Sequence, residues 1–304
     1  MVIHHVFANR SNAGDWLAAL GIQSQLGGYR VAAHLCDAPF VRHTVRRLST
    51  LDRADLVVVG GGGLVMDYFQ PLWEGLAALG DRVPYVLWGV GAVDLKREPS
   101  RLDPQLVRGV AARAALCRVR DEHTRALLGG APLPAAVPCP SVLAVRPVHR
   151  PGWGVLHVDN LTTVGEAEYE AMGRAAARFA ARTGRPYRET NNLHRVGDRA
   201  ALAGLLAHYA AADVVVTSRL HGCLIAAATG RRVVAVSGDW KIESFMSAVG
   251  LGAWVLPQAD VARLPELLAR LDAQPDPGPA LARARRTHRR IGRQVRRLAE
   301  TARG

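Results

Sequence analysis

Residues 214 to 236, VVVTSRLHGCLIAAATGRRVVAV, put an arginine and a histidine, Arg219 and His221, in the turn between an apolar strand and the helix that follows it. Positions two apart in an extended chain point the same way, so these side chains share one side while Leu220 turns into the core. The helix behind them, beginning near His221, adds unsatisfied N–H groups and a partial positive charge. The expected result, framed by Ser218 and Gly222, is an anion site beside an imidazole able to carry a proton at neutral pH. The next strand end, SGDWKIESF, brings Asp239 and Lys241 close to that turn when the two strands are sheet neighbours. Lys241 adds a second cation, and Asp239 can orient His221 or bind a hydroxyl. Binding of a small anionic substrate with proton transfer is the chemistry these residue types support.

Further stretches place glycines or polar residues at strand ends. In VVVGGGGLVMD, Gly60, Gly61, Gly62 and Gly63 follow a buried strand and precede a helix, where main-chain N–H groups can cradle phosphate or carboxylate. No dinucleotide fingerprint is completed, because the third glycine position falls on Val65 or Met66, and no G-K-[ST] ends a P-loop. In NRSNAGDW, Gly14 makes a turn and Asn12 or Asp15 caps the first helix, both also placed to face a ligand. In CRVRDEHTRALL, Arg118 and Arg120 alternate and face the same way, towards an anion, while Asp121 caps the helix. WGVGAVD keeps the floor low through Gly89 and Gly91. His157 and Asp159 end a strand of the second half and line the same cleft. Asn191 and Asn192 read as turn formers or as hydrogen-bond partners for a ligand.

These residues need a scaffold, and 304 residues, 49% hydrophobic, exceed one comfortable core. Short apolar strands alternate with helix-length Ala/Leu/Arg-rich segments, the pattern of parallel α/β units. Strands are expected at 2–7, 55–59, 84–88 and 116–120, with helices at 15–26, 64–79, 103–114 and 121–128. After a Pro/Gly-rich stretch, 129–154, come strands at 154–158, 186–189, 213–217, 232–236 and 253–256, with helices at 165–183, 199–211, 221–229, 242–249 and 261–271. The expected fold class is α/β: two Rossmann-like domains, 1–148 and 152–280, face each other across a cleft at the carboxyl ends of their strands.

The net charge of +13 is concentrated, since residues 281–304 hold nine arginines against one acid, Glu300, and so eight of the thirteen charges. There Ala284, His288, Ile291, Val295 and Leu298 recur at helical spacing, giving a basic C-terminal helix that packs back on the first lobe. Its arginine coat leaves room for peripheral contact with anionic lipid at the inner membrane face. No aromatic residue interleaves it, so nucleic acid is not an expected partner. The opening apolar stretch is too short for a signal peptide and no run of about 18 apolar residues occurs, so the expected compartment is the cytoplasm. Cys36, Cys117, Cys139 and Cys223 lie far apart with no C-x-x-C pair, and no metal site is expected.

Taken in order, N-x-G-D at Asn12–Asp15, Gly60–Gly63, VRD at Val119–Asp121, SRLHG at Ser218–Gly222 and DWK at Asp239–Lys241 resemble the polysaccharide pyruvyl transferase family over most of the chain. The resemblance implies a GT-B-like fold, with the acceptor on the first lobe and the donor on the second. It implies transfer of the pyruvyl group of phosphoenolpyruvate onto hydroxyls of a sugar or glycoside, commonly as a cyclic ketal, with no cofactor. It makes His221 the general acid or base and Arg219 and Asp239 catalytic. Arg219, Lys241, Ser218 and Gly222 hold the donor; Asn12, Gly14, Asp15, Gly61, Gly62, Gly63 and Arg120 line the cleft and acceptor side. Two departures stand out: Cys139-Pro140 where the family often reads Asp-Pro, and Gly230-Arg231-Arg232 where it reads Gly-x-Pro. A compact chain also admits a small glycoside or modified natural-product intermediate as acceptor. The rival activities are a nucleotide-sugar glycosyltransferase of the same fold and a basic binding module.

Overall fold

The computed structural model describes residues 2–35, 51–129, 133–158 and 163–302; Cys36 and Asp159 lie outside them. Two five-stranded parallel sheets carry the described chain. The first, in order β2-β1-β3-β4-β5, contains β1 (Val2–Phe7), β2 (Arg30–Leu35), β3 (Leu56–Val65), β4 (Tyr85–Ala92) and β5 (Leu116–Val119). The second, in order β10-β9-β8-β6-β7, contains β6 (Val155–Val158), β7 (Tyr187–Thr190), β8 (Val214–Thr217), β9 (Arg232–Ser237) and β10 (Val255–Pro257). Val57–Val59 and Val214–Val216 are wholly buried, as central parallel strands covered on both faces require. The covering helices are α1 (Ala13–Gln23), α2 (Gln70–Leu79), α3 (Pro104–Arg113), α4 (Glu122–Leu127), α5 (Glu166–Arg182), α6 (Arg199–Ala211), α7 (Leu220–Ala228), α8 (Trp240–Ala248), α9 (Leu264–Ala269) and α10 (Gly278–Thr301). This is the two-lobed α/β arrangement expected, closed by a C-terminal helix.

Two elements depart from the sequence pattern. β2, RVAAHL, pairs among the described residues with β1 alone, and with a single β-branched residue, Val31, it gives little strand signal. The helix expected over 64–79 is shorter, because β3 runs on through the glycines to Val65, a 3-10 turn covers Asp67–Phe69, and α2 begins at Gln70 with Pro71 in its first turn. Glycines lack side chains to alternate, so they hide the strand's continuation.

The apolar stripe of α10 is spent on the first lobe: Ile291, Val295 and Ala299 pack with Ile3, Leu56, Val58 and Trp88. Arg283, Arg286, Arg290, Arg293 and Arg297 face outward. No described helix is long and apolar enough to cross a membrane. His288 fastens α10, since Trp88 Nε1 donates to its Nδ1 at 3.0 Å while its Nε2–H donates to the Pro138 carbonyl at 2.6 Å. Only the neutral ring satisfies both, and burial pushes its pKa down from 6.5 to about 4. The unfolded chain then binds that proton more readily, so this stabilisation is whole above pH 6.5 and is lost as pH falls towards 4, a loss of about 3 kcal/mol. Urea unfolding of His288→Gln should show a correspondingly shallower acid loss than wild type across that window.

Candidate active site

The carboxyl ends of both sheets meet at a cavity of about 370 Å³. The first lobe contributes Asn9, Asn12 and Asp15 from the β1–α1 junction, Gly63 of β3, Met66, Tyr68 and Phe69 beyond it, Val93 and Leu95 after β4, and Arg120 after β5. The second contributes Thr163, Arg219, Leu220, His221 and Lys241. Backbone bridges join the lobes at two of its borders, Asn12 with Leu193 and Leu95 with Asp239. Next to these, Ala13 N donates to Asn192 O and Lys96 N to Gly238 O, each at 3.0 Å.

Arg219 is the extended N-cap residue of α7, and its backbone N donates to Thr217 Oγ1 at 3.0 Å. The helix starts at Leu220, one residue before the spacing suggests, and Leu220 both joins the core and borders the cavity. His221 is 9% exposed, with Nε2 3.5 Å from Cys139 Sγ. Its ring also rests on Gly14, where a Cβ would stand 1.9 Å from Nδ1. Gly14 therefore lies inside the first turn of α1 and permits close approach, in place of the turn expected of it. Burial, followed by the charges of Arg120, Arg219 and Lys241, drives the His221 pKa well below 6.5. At neutral pH the ring is therefore uncharged.

Arg120 is buried, with Nε on Asp121 Oδ2 and an Nη on Ala92 O, both at 2.9 Å. Burial works against its charge, but Asp121, Cys139 and Asp239 more than offset this and its pKa is raised. Arg118 does not share its direction: the register shifts between Trp88 and Val90, where Gly89 has φ +69°, and Arg118 instead bonds the Cys117 carbonyl. Lys241 Nζ pairs with wholly buried Asp239, whose Oδ1 accepts from Lys241 N at 3.1 Å and caps α8. Burial lowers the Lys241 pKa and Asp239 partly restores it. Asp239 thus orients Lys241 and not His221, a positioning role where a catalytic one was expected.

The glycine run does not form a phosphate-cradling turn. Gly61 (φ +73°) and Gly62 (φ +101°) lie within β3 beneath α1, where a Cβ would meet Ala18 Cβ and Asp15 Oδ1 respectively, each at 2.7 Å. They seat α1 and its Asp15; of the four, Gly63 borders the cavity. Gly222 is pressed on Thr217, and Ser218 Oγ is 2.8 Å from Thr163 Oγ1, so both expected donor ligands shape the turn without lining the cavity. Asn12 Oδ1 caps α1 by accepting from Gly14 N at 3.0 Å, and Asp15 accepts from Asn9 at 3.2 Å. Asn9 was legible as the first polar residue past β1; Tyr68 and Thr163 carry no such signal. Asn191 and Asn192 are turn formers, bonded to Leu193 N and Tyr209 OH. His157 lines a separate cavity with Glu189 and Tyr169.

The thiol of Cys139 touches His221 where a carboxylate would raise the ring's pKa. Cys139→Asp should therefore move the acid limb of the pH–kcat/KM profile upward by about one unit or more.

Solved structures share this fold at low identity. The UDP-GlcNAc 2-epimerase of Methanocaldococcus jannaschii, in complex with UDP-GlcNAc and UDP, superposes with TM-score 0.61 at 11% identity, covering 97% of this chain and 99% of that one. The S. aureus MnaA–UDP structure gives 0.57 at 12% identity, covering 93% and 94%. The Neisseria meningitidis UDP-GlcNAc 2-epimerase bound to UDP-GlcNAc gives 0.53 at 11%, covering 94% and 99%. No curated protein matches the sequence. The polysaccharide pyruvyl transferase model matches residues 12–239, the span over which Asn12, Asp15, Arg120, Arg219 and His221 fold onto one cavity, and the chain belongs to that family.

Proposed function

We propose that the protein transfers the pyruvyl group of phosphoenolpyruvate to a pair of sugar hydroxyls, releasing phosphate and forming a cyclic ketal. The observation that carries this reading is the convergence of Arg120, Arg219, Lys241 and neutral His221 on one cavity between the lobes. A donor with a phosphate and a carboxylate needs such cations, and Arg219 beside the start of α7 suits one of its anionic groups. In the reaction a sugar oxygen bonds to the central carbon of the donor while the enol methylene carbon gains a proton from solvent and the hydroxyl's own proton is given up in exchange. The second hydroxyl oxygen then displaces phosphate from that carbon, its proton leaving with the phosphate as the ketal closes. His221 accepts a hydroxyl proton, and Asp15 is the carboxylate facing the same space. Arg120 and Lys241 stabilise the departing phosphate.

Incubation of sugars and glycosides with phosphoenolpyruvate, read by mass spectrometry, should show each product heavier than its acceptor by pyruvic acid less one water, with an equivalent of phosphate released. UDP-sugars should bind more weakly than phosphoenolpyruvate; transfer from a UDP-sugar without pyruvyl gain would replace this reading with glycosyl transfer. Arg219→Lys keeps the charge but loses the planar fork, and should raise the KM for phosphoenolpyruvate about tenfold with a smaller fall in kcat.

A further inference from the structure

Two further cavities adjoin the active site, and Val93 lines all three. The first, about 320 Å³, shares Met66, Tyr68, Val93 and Leu95 with the cleft and adds Asp67, Glu98 and Ser100. Its walls are braced: Ser100 Oγ accepts from Asp67 N at 3.1 Å and donates to Asp67 Oδ1 at 3.3 Å, tying the β3–α2 loop to the β4–α3 loop. Tyr68 is 38% exposed and meets Phe69 edge-on at 4.8 Å. An aromatic face among carboxylates and a hydroxyl suits a sugar ring. The second cavity, about 260 Å³, lies past Pro99 and Ser100 and is walled mainly by Val65, Ala92, Leu102, Val107, Leu127 and Leu128, with Asp94, paired to His123, at its edge. Apolar walls of this kind favour an apolar ligand group, whose burial there restores packing contacts that an unfilled pocket forfeits.

We infer that the acceptor is a glycoside bearing an apolar aryl or alkyl substituent, which enters the pocket beneath the Pro99–Leu102 loop while the sugar lies across Tyr68 towards His221. This rests on the sugar acceptor proposed above. The donor cavity is at the small end of ligand pockets, which run to roughly 300–1,000 Å³. A three-carbon phosphate ester and one sugar ring fill it, so whatever the sugar carries extends beyond it, and the two cavities past Tyr68 and Val93 adjoin it there. A chain of bare sugars would leave the apolar pocket empty; an aryl or alkyl group matches its walls.

The test is saturation-transfer NMR without phosphoenolpyruvate, using matched p-nitrophenyl and methyl β-glycosides of glucose, galactose, mannose and N-acetylglucosamine. At least one p-nitrophenyl glycoside should bind about tenfold or more tightly than its methyl partner. Leu127→Trp, filling the pocket from its half-buried rim, should erase that difference, as should Val107→Phe from its floor. Calorimetric binding of phosphoenolpyruvate should be unchanged in both variants, since neither residue borders the cleft. Equal binding of aryl and methyl glycosides, no binding by any of them, or an aryl preference that survives both substitutions overturns the inference. An aryl preference erased by the variants, in a protein that fails to bind phosphoenolpyruvate, upholds the acceptor pocket and removes the donor assignment instead.

Discussion

His221→Ala should lower turnover by about 10³-fold or more, with thermal unfolding close to wild type and phosphoenolpyruvate affinity kept within a few-fold. The ring is neutral because it is buried among Arg120, Arg219 and Lys241. Neither arginine can take a proton from a hydroxyl at neutral pH, whereas an imidazole can. On the proposed reading, an anionic donor in the cavity would offset those three cations and make the ring more basic. Loss of the imidazole should therefore appear in kcat and hardly in donor binding, measured by phosphate release against calorimetry. Retention of more than about a tenth of wild-type turnover would take His221 out of the proton transfer.

Gly14→Ala should be nearly as damaging, although the residue has no side chain to contribute. Its methyl group would stand 1.9 Å from His221 Nδ1 and 2.0 Å from Cγ, closer than any real contact. Either the imidazole rotates away or α1 shifts, and overpacking of this kind costs about 1–3 kcal/mol. A displacement of about 1 Å of a reacting group costs on the order of 10²-fold in rate. Gly204→Ala, in α6 with open space where its Cβ would be, is the control and should stabilise by about 0.5–1 kcal/mol. Equal kcat for Gly14→Ala and wild type would show that the ring does not need its present seat.

The alternation of apolar strands with Ala/Leu-rich helices made both sheets readable, because central parallel strands such as Val214–Thr217 are buried on both faces and show as continuous valine runs. Arg219, His221 and Lys241 were equally legible: polar side chains at strand ends have few structural uses. Several departures at the site come from contacts between segments far apart in sequence, and one, at Asp239, from a local cap. Gly14 reads as a turn until the His221 ring, two hundred residues on, is seen against it. Arg118 and Arg120 look equivalent until the irregularity at Gly89 separates them. Gly61 and Gly62 advertise a phosphate loop, yet their freedom is used to let α1 lie close on β3. Asp239 stands two residues from Lys241 and is engaged there as the cap of α8.

Two backbone bridges, at Asn12 with Leu193 and at Leu95 with Asp239, have a kinetic corollary. A clamshell swing of one lobe away from the other would have to break the main-chain hydrogen bonds made there, at about 0.5–1.5 kcal/mol net each, which favours the closed arrangement. Restrained lobes favour entry of small reagents along the open border of the cavity, where Tyr68 is exposed, over a wide opening of the whole cleft.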